Sequence, residues 1–185
     1  MVSQISRASP TKKFMGNLTL LIVGGNDTTR NSMSGGLWYL SQNPDEWAKL
    51  KVDPGLVPKL VPETIRFQSP IIHMRRTATQ DAELAGKQIH AGDKVIMWYL
   101  SGNRDGEMID RPDDFIVDRA KPRQHLSYGA GIHRCVGDRL ADLQLSILWE
   151  EILKRDFDIE VLAPPTRIRN NFIRGISKMP VRIKA

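Results

Sequence analysis

Cysteine is nearly absent: Cys135 is the single one in 185 residues, which excludes an internal disulfide framework of the kind that staples small secreted domains. No second Cys/His pair accompanies it at zinc-site spacing, and no histidine is marked as the partner of a nucleophilic thiol. Long apolar runs are missing too. Met1 does not open a cationic segment leading into a long apolar stretch, and Leu18 to Val23 is far too short to span a bilayer. The expectation is a soluble cytoplasmic protein with no membrane span. Basic tracts are also lacking. The 27 Lys and Arg against 21 Asp and Glu leave a net charge of +6, but these cations are scattered, without the aromatic interleaving of a nucleic-acid surface. No nucleic acid is expected as a partner, and the excess reads either as solvated surface or as a docking face for an acidic partner.

With 41% hydrophobic residues, a chain of this length buries a substantial core. Its cysteine lies in Tyr128-Gly129-Ala130-Gly131-Ile132-His133-Arg134-Cys135-Val136-Gly137, directly before an amphipathic helical pattern from Arg139 to Arg155. Sulfur ligates iron as the thiolate, and three features favour that form: backbone amides freed by Gly131 and Gly137, the N-terminus of the following helix, and Arg134. A lone cysteine is more often a small buried hydrophobe without chemistry; the glycine spacing here argues against that. A dinucleotide fingerprint fails as well, because Arg134 stands where its third glycine belongs.

Along the rest of the chain, Phe14, Leu18, Leu21, Ile22, Met33, Leu37 and Leu40 predict one long helix over about 13–43. Its interior holds Gly24-Gly25-Asn26-Asp27-Thr28-Thr29, where each glycine costs about 1 kcal/mol relative to alanine. From the residues, a widened or kinked turn and a helix end followed by a new cap are equally good readings. A short helix from Asn43-Pro44-Asp45 through Lys51 and a turn at Asp53-Pro54-Gly55 follow. A helix over about 56–68 puts Glu63 and Arg66 on one face, with Pro62 predicted to bend it. Alternation and turns predict strands over about 71–99, an irregular meander over 110–127, a helix over 138–155 and strands over 156–185.

The pattern aromatic-Gly-x-Gly-x-His-x-Cys-x-Gly resembles the heme-binding loop of the cytochromes P-450, with Tyr128 where the family usually has phenylalanine. Three further motifs follow in the family's order. Gly-Gly-x-Asp-Thr-Thr at 24–29 is similar to its oxygen-activation signature, Glu-x-x-Arg at 63–66 to its ion-pair element, and Asn103-Arg104-Asp105 to a recurrent turn. The resemblance spans nearly the whole chain, and it decides the question of the long helix in favour of one continuous element. It implies a mainly α fold with small β-sheets, the C-terminal heme-binding portion of the cytochrome P-450 fold. Cys135 would be the axial ligand of heme b, in the loop of Tyr128, Gly129, Gly131 and Gly137, with Arg76 and His133 on the heme propionates. Gly24 and Gly25 would make room for dioxygen, while Thr28 hydrogen-bonds the activated oxygen and Asp27 feeds protons toward it. A hydroxyl backed by a carboxylate is a minimal relay for the protons that O–O cleavage consumes. Leu20, Val23, Ile71 and Ile72 would line a pocket for a small apolar substrate.

In many relatives an arginine just before a meander phenylalanine completes the Glu63/Arg66 pair, but Asp114 precedes Phe115 here. Arg119 or His125 is left as the replacement. Within the family, Leu21 to Met33, Met74 to Ala78 and Gly131 to Gly137 look most like the bacterial alkane and fatty-acid terminal hydroxylases. These take electrons from NAD(P)H through a ferredoxin reductase and ferredoxin. The chain opens almost directly on the oxygen-activating helix, so the expectation is about half of a catalytic domain, inactive alone. The other function class is a non-catalytic heme-binding or interaction module.

Overall fold

The computed structural model describes residues 10–184; the start read for a leader at Met1 and the terminal Ala185 lie outside them. Helix α1 runs Pro10–Gln42, unbroken through Gly24 and Gly25. Asn43 then separates it from α2, Pro44–Val52, where Pro44 opens the first turn, Asp45 and Glu46 follow it, and Lys49 and Lys51 close the last. Proline at the start and acid-to-base polarity along the axis both favour a helix with that direction. A short 3-10 turn, Pro54–Leu56, leads into α3, Val57–Gln68, which ends as Ser69 turns left-handed at φ 42°. Pro62 sits inside α3, buried, and the helix continues past it.

Strands β1 (His73–Thr77) and β4 (Lys94–Trp98) pair antiparallel, as do β2 (Ala82–Leu84) and β3 (Lys87–Ile89). Ala85 and Gly86, both with positive φ, make the tight turn between β2 and β3, the geometry whose twist matches a hairpin. Tyr99, expected as the end of the strand region, instead starts the one-turn helix α4, Tyr99–Gly102. A largely irregular meander and the cysteine loop lead to α5, Asp138–Lys154. The chain finishes in two hairpins' worth of strands, β5 (Asp158–Val161) with β8 (Val181–Lys184) and β6 (Thr166–Arg167) with β7 (Ile176–Lys178).

The core forms where α1, α3 and α5 meet, with Leu40, Leu60, Val61, Ile65, Leu145 and Trp149 all but fully buried. Gly36 allows that meeting: a Cβ there would lie 2.9 Å from Trp149 Cζ2 and 3.0 Å from Thr64 Cγ2. Polar ties bring the C-terminal strands onto the same junction. Ile176 donates its amide to Asn31 of α1, Gln68 donates to the Arg174 carbonyl, and Tyr39 donates to Gln68. The N-terminal half of α1 contrasts with this core. Phe14, Leu20, Leu21, Ile22 and Val23 are exposed, covered by none of the described residues. No helix among the described residues is long and apolar enough to cross a membrane.

Candidate functional site

The cysteine loop is a tight reversal set up by two glycines in left-handed backbone, Gly129 at φ 68° and Gly131 at φ 64°. A side chain would strain both turns. The reversal lets the Cys135 amide donate to the Tyr128 carbonyl at 2.8 Å, and the Arg134 amide to Gly131 at 3.0 Å. Gly137 then caps α5, its carbonyl accepting from Ala141. Cys135 is exposed, between Ile132 and Val136, which are themselves almost wholly exposed. The sulfur therefore sits one turn from the positive end of α5, on an apolar rim. Arg134, read as a cation favouring thiolate, pairs with Asp138 at 2.8 Å, so part of its charge is already spent on the first residue of α5.

Tyr128 hangs its ring inward, 5.4 Å from the His125 ring, and its hydroxyl donates to Asp142 Oδ1 at 2.7 Å. Burial, with that bond to a carboxylate, pushes the phenol pKa upward. Burial drives the neighbouring His125 the other way, from an ordinary 6.5 to about 4, because the apolar surroundings disfavour the imidazolium. Its Nδ1 is buried without a partner among the described residues.

Behind the loop, Glu63 and Arg66 of α3 form a bidentate pair, both contacts at 2.8 Å and both side chains fully buried. Arg119 from the meander is the third partner, its Nε 2.9 Å from Glu63 Oε2; His125 lies against Tyr128 instead. Two cations around one anion leave a buried excess positive charge, which main-chain dipoles offset. Arg66 donates to the carbonyls of Asn103, Pro112 and Asp114, and Arg119 to those of Asp110, Arg111 and Asp114. Asp114, which replaced the expected arginine, serves through its carbonyl while its carboxylate turns outward to Arg111. Asn103, not singled out for this role by its motif, fastens the meander to the loop. Its side chain donates to Ser69 and Ser127 and accepts the Leu126 amide.

On α1, Thr28 donates its hydroxyl to the Gly24 carbonyl at 2.7 Å, and Asp27 pairs with Arg30 at 2.9 Å. A Cβ on Gly24 or Gly25 would meet nothing within 4 Å, so these glycines leave open space where α1 passes. Leu20 lies one turn before Gly24 and Val23 directly before it, both exposed. Ile71 and Ile72 are half-buried against the turn of the last hairpin, where Ile71 bridges Ile173 and the Ile72 amide donates to Phe172. Phe172 thus joins the apolar group although nothing in its local sequence marks it. Arg76 points from β1 with only the Arg75 carbonyl as acceptor, and no carboxylate among the described residues pairs with it. His133 is exposed beside the cysteine.

One open soft donor, apolar flanks, a cation and an imidazole without acidic partners suit a planar apolar group that carries its own metal and its own carboxylates. No group of three metal-ligating side chains is present among the described residues, so a metal held by Cys135 would need its other ligands from such a group. A family model described as Cytochrome P450 matches residues 55–185. Linalool 8-monooxygenase of Pseudomonas putida is 45% identical over 170 residues, 92% of this chain and 42% of that protein. The methyl-branched lipid omega-hydroxylase of Mycobacterium tuberculosis is 40% identical over 164 residues, 88% of this chain and 38% of that protein. The solved structure of cytochrome P450-153 from Novosphingobium aromaticivorans superposes with a TM-score of 0.92 at 51% identity, over 99% of this chain and 46% of that one. The chain belongs to the cytochrome P450 family, and membership implies a heme iron with a thiolate ligand. It spans less than half the length of these relatives.

Proposed function

We propose that this chain carries the heme-holding and oxygen-activating part of a monooxygenase that inserts one oxygen atom of dioxygen into a C–H bond, the terminal one of an alkane or fatty acid. The exposed Cys135 in its glycine-built loop at the start of α5 carries the reading. Cys135 would be the axial ligand, and Arg76 and His133 would hold the carboxylates of the group. When bound, heme supplies the activation of dioxygen, using two electrons that come from a nicotinamide donor through a ferredoxin and its reductase.

The chain's own residues then have separable tasks. Gly24 and Gly25 keep a side-chain-free face on α1 for a small diatomic. Thr28 holds a hydroxyl whose present acceptor is the Gly24 carbonyl, and rotation of that hydroxyl presents its proton to a ligand instead. Asp27, half-exposed and tied to Arg30, is a carboxylate one residue away that can resupply the proton. Leu20, Val23, Ile71 and Ile72 offer an apolar lining without a polar group to orient a functionalised substrate. This supports an alkyl segment as the part that reacts, as does the likeness to a lipid omega-hydroxylase.

The test is the carbon monoxide difference spectrum of the reduced, heme-loaded protein beside Cys135→Ala, followed by product analysis on alkanes and fatty acids with a ferredoxin system. The expected result is a strongly red-shifted Soret band that the variant loses, with terminal alcohols from a complete catalytic domain carrying this chain and no turnover from this chain alone. Identical histidine-type or free-heme spectra from both proteins would remove Cys135 as the ligand. A thiolate spectrum with no oxygenated product even from that complete domain would favour the non-catalytic heme-binding module.

A further inference from the structure

We propose that Asp142 of α5 is a positioning residue that holds Cys135 in place through Tyr128 and, together with Arg123, sets how strongly the sulfur donates to a bound heme iron; this rests on the heme-thiolate reading above. Tyr128 is bonded at both ends. Its carbonyl accepts the Cys135 amide at 2.8 Å, and its hydroxyl donates to Asp142 Oδ1 at 2.7 Å, with the Asp138 carbonyl a longer second acceptor at 3.3 Å. The other carboxylate oxygen of Asp142 accepts from Arg123 Nη1 at 2.7 Å. Arg123 belongs to the meander, and its side chain is mostly exposed.

Among the described residues, Asp142 is thus the carboxylate that ties three segments together: the meander, the cysteine loop and α5. Its own helix is anchored, because Leu145 and Trp149 are buried in the core. A phenol whose hydroxyl is half-buried needs an acceptor, and an ionised acceptor makes the bond roughly twice as strong as a neutral one. Phenylalanine at 128 would keep the ring yet lose this tie, so the hydroxyl and Asp142 form one device. Charge follows from the same geometry. Asp142 with Arg123 is neutral as a pair, so removing either member leaves the opposite sign standing beside the loop, in a setting where water screens only partly. A net negative charge near a ligated iron favours its oxidised form, and a net positive charge its reduced form.

The experiment measures the reduction potential and the carbon monoxide Soret position of the heme-loaded protein, for wild type, Asp142→Asn, Arg123→Gln, Tyr128→Phe and the Asp142→Asn/Tyr128→Phe double variant. The potential should rise in Asp142→Asn and fall in Arg123→Gln, two opposite shifts that a loss of stability alone would not produce. The Asp142→Asn shift should shrink in the Tyr128→Phe background, and heme release should speed about tenfold in either single variant of that pair. Unchanged potentials, shifts of one sign in both charge variants, or fully additive shifts would each overturn the proposal while the wild-type thiolate spectrum stands. A wild type without that spectrum would instead bring down the heme-thiolate reading.

Discussion

Glu63 accepts five donations: two from Arg66, two from Arg119 and one from the Ile116 amide. Buried ion pairs hold geometry more than they add stability, and the loss of one partner strands the rest. Glu63→Gln should therefore lower unfolding stability by about 3–5 kcal/mol, because two guanidiniums lose their common anion. Urea denaturation would show this as a lower midpoint at unchanged slope. The i, i+3 pair was legible because one helix carries both members. Its third partner was not, since the meander has no periodicity from which to place Arg119. His125 gives a second expectation. Folded, it takes a proton only near pH 4, while the unfolded residue does so near 6.5. The unfolded chain holds more protons between those values, so stability falls as pH drops from 6.5 to 4, by on the order of 3 kcal/mol. Replacing His125 with Gln should flatten that part of the stability profile; an unaltered profile would show that another group carries it.

At the scale of an element, α1 contains glycines of opposite purpose. Gly36 lies in van der Waals contact with α3 and α5, whereas Gly24 and Gly25 face open space. Gly36→Ala should cost about 1–3 kcal/mol through overpacking against Trp149 and Thr64. Gly24→Ala should instead be neutral or stabilising by up to about 1 kcal/mol, because alanine is the better helix former, while under the proposed function it should depress oxygenation. Thermal unfolding of this chain, and product yield of a complete catalytic domain carrying the same two substitutions, separate packing from function. A parallel loss of both quantities in Gly24→Ala would mean that this glycine, too, is needed for packing. From the residues alone the interior glycines fit a widened or kinked turn and a helix end equally well, the resemblance favours one continuous helix, and α1 runs unbroken through them. Helical hydrogen bonds survive a missing Cβ, and Thr28 adds one more bond back to Gly24.

For the molecule as a whole, the three-helix junction is closed and the faces around Cys135 and along the first half of α1 are open. A ligand that binds only the folded chain stabilises it by mass action, about 2.7 kcal/mol at a free concentration of one hundred times Kd. Heme should accordingly raise the unfolding temperature with the logarithm of its free concentration above Kd, and Cys135→Ala should remove most of the rise. An equal rise in the variant would place the heme elsewhere.

Local chemistry was readable from the chain alone. The individual helices and strands followed from apolar periodicity and turn residues and the fold class from the family resemblance, and the cysteine loop, the Gly-Gly-x-Asp-Thr-Thr segment and the Glu-x-x-Arg pair stand complete within short windows, since backbone conformation and one-turn spacing are set by neighbours in sequence. Contacts across long loops came only with the tertiary structure. Arg119 on Glu63, Asp142 on Tyr128, Phe172 beside Ile72 and Asn31 on Ile176 join residues from 14 to 145 positions apart. Such pairings depend on how the helices pack around Gly36, Thr64 and Trp149, and no single stretch of sequence encodes that packing.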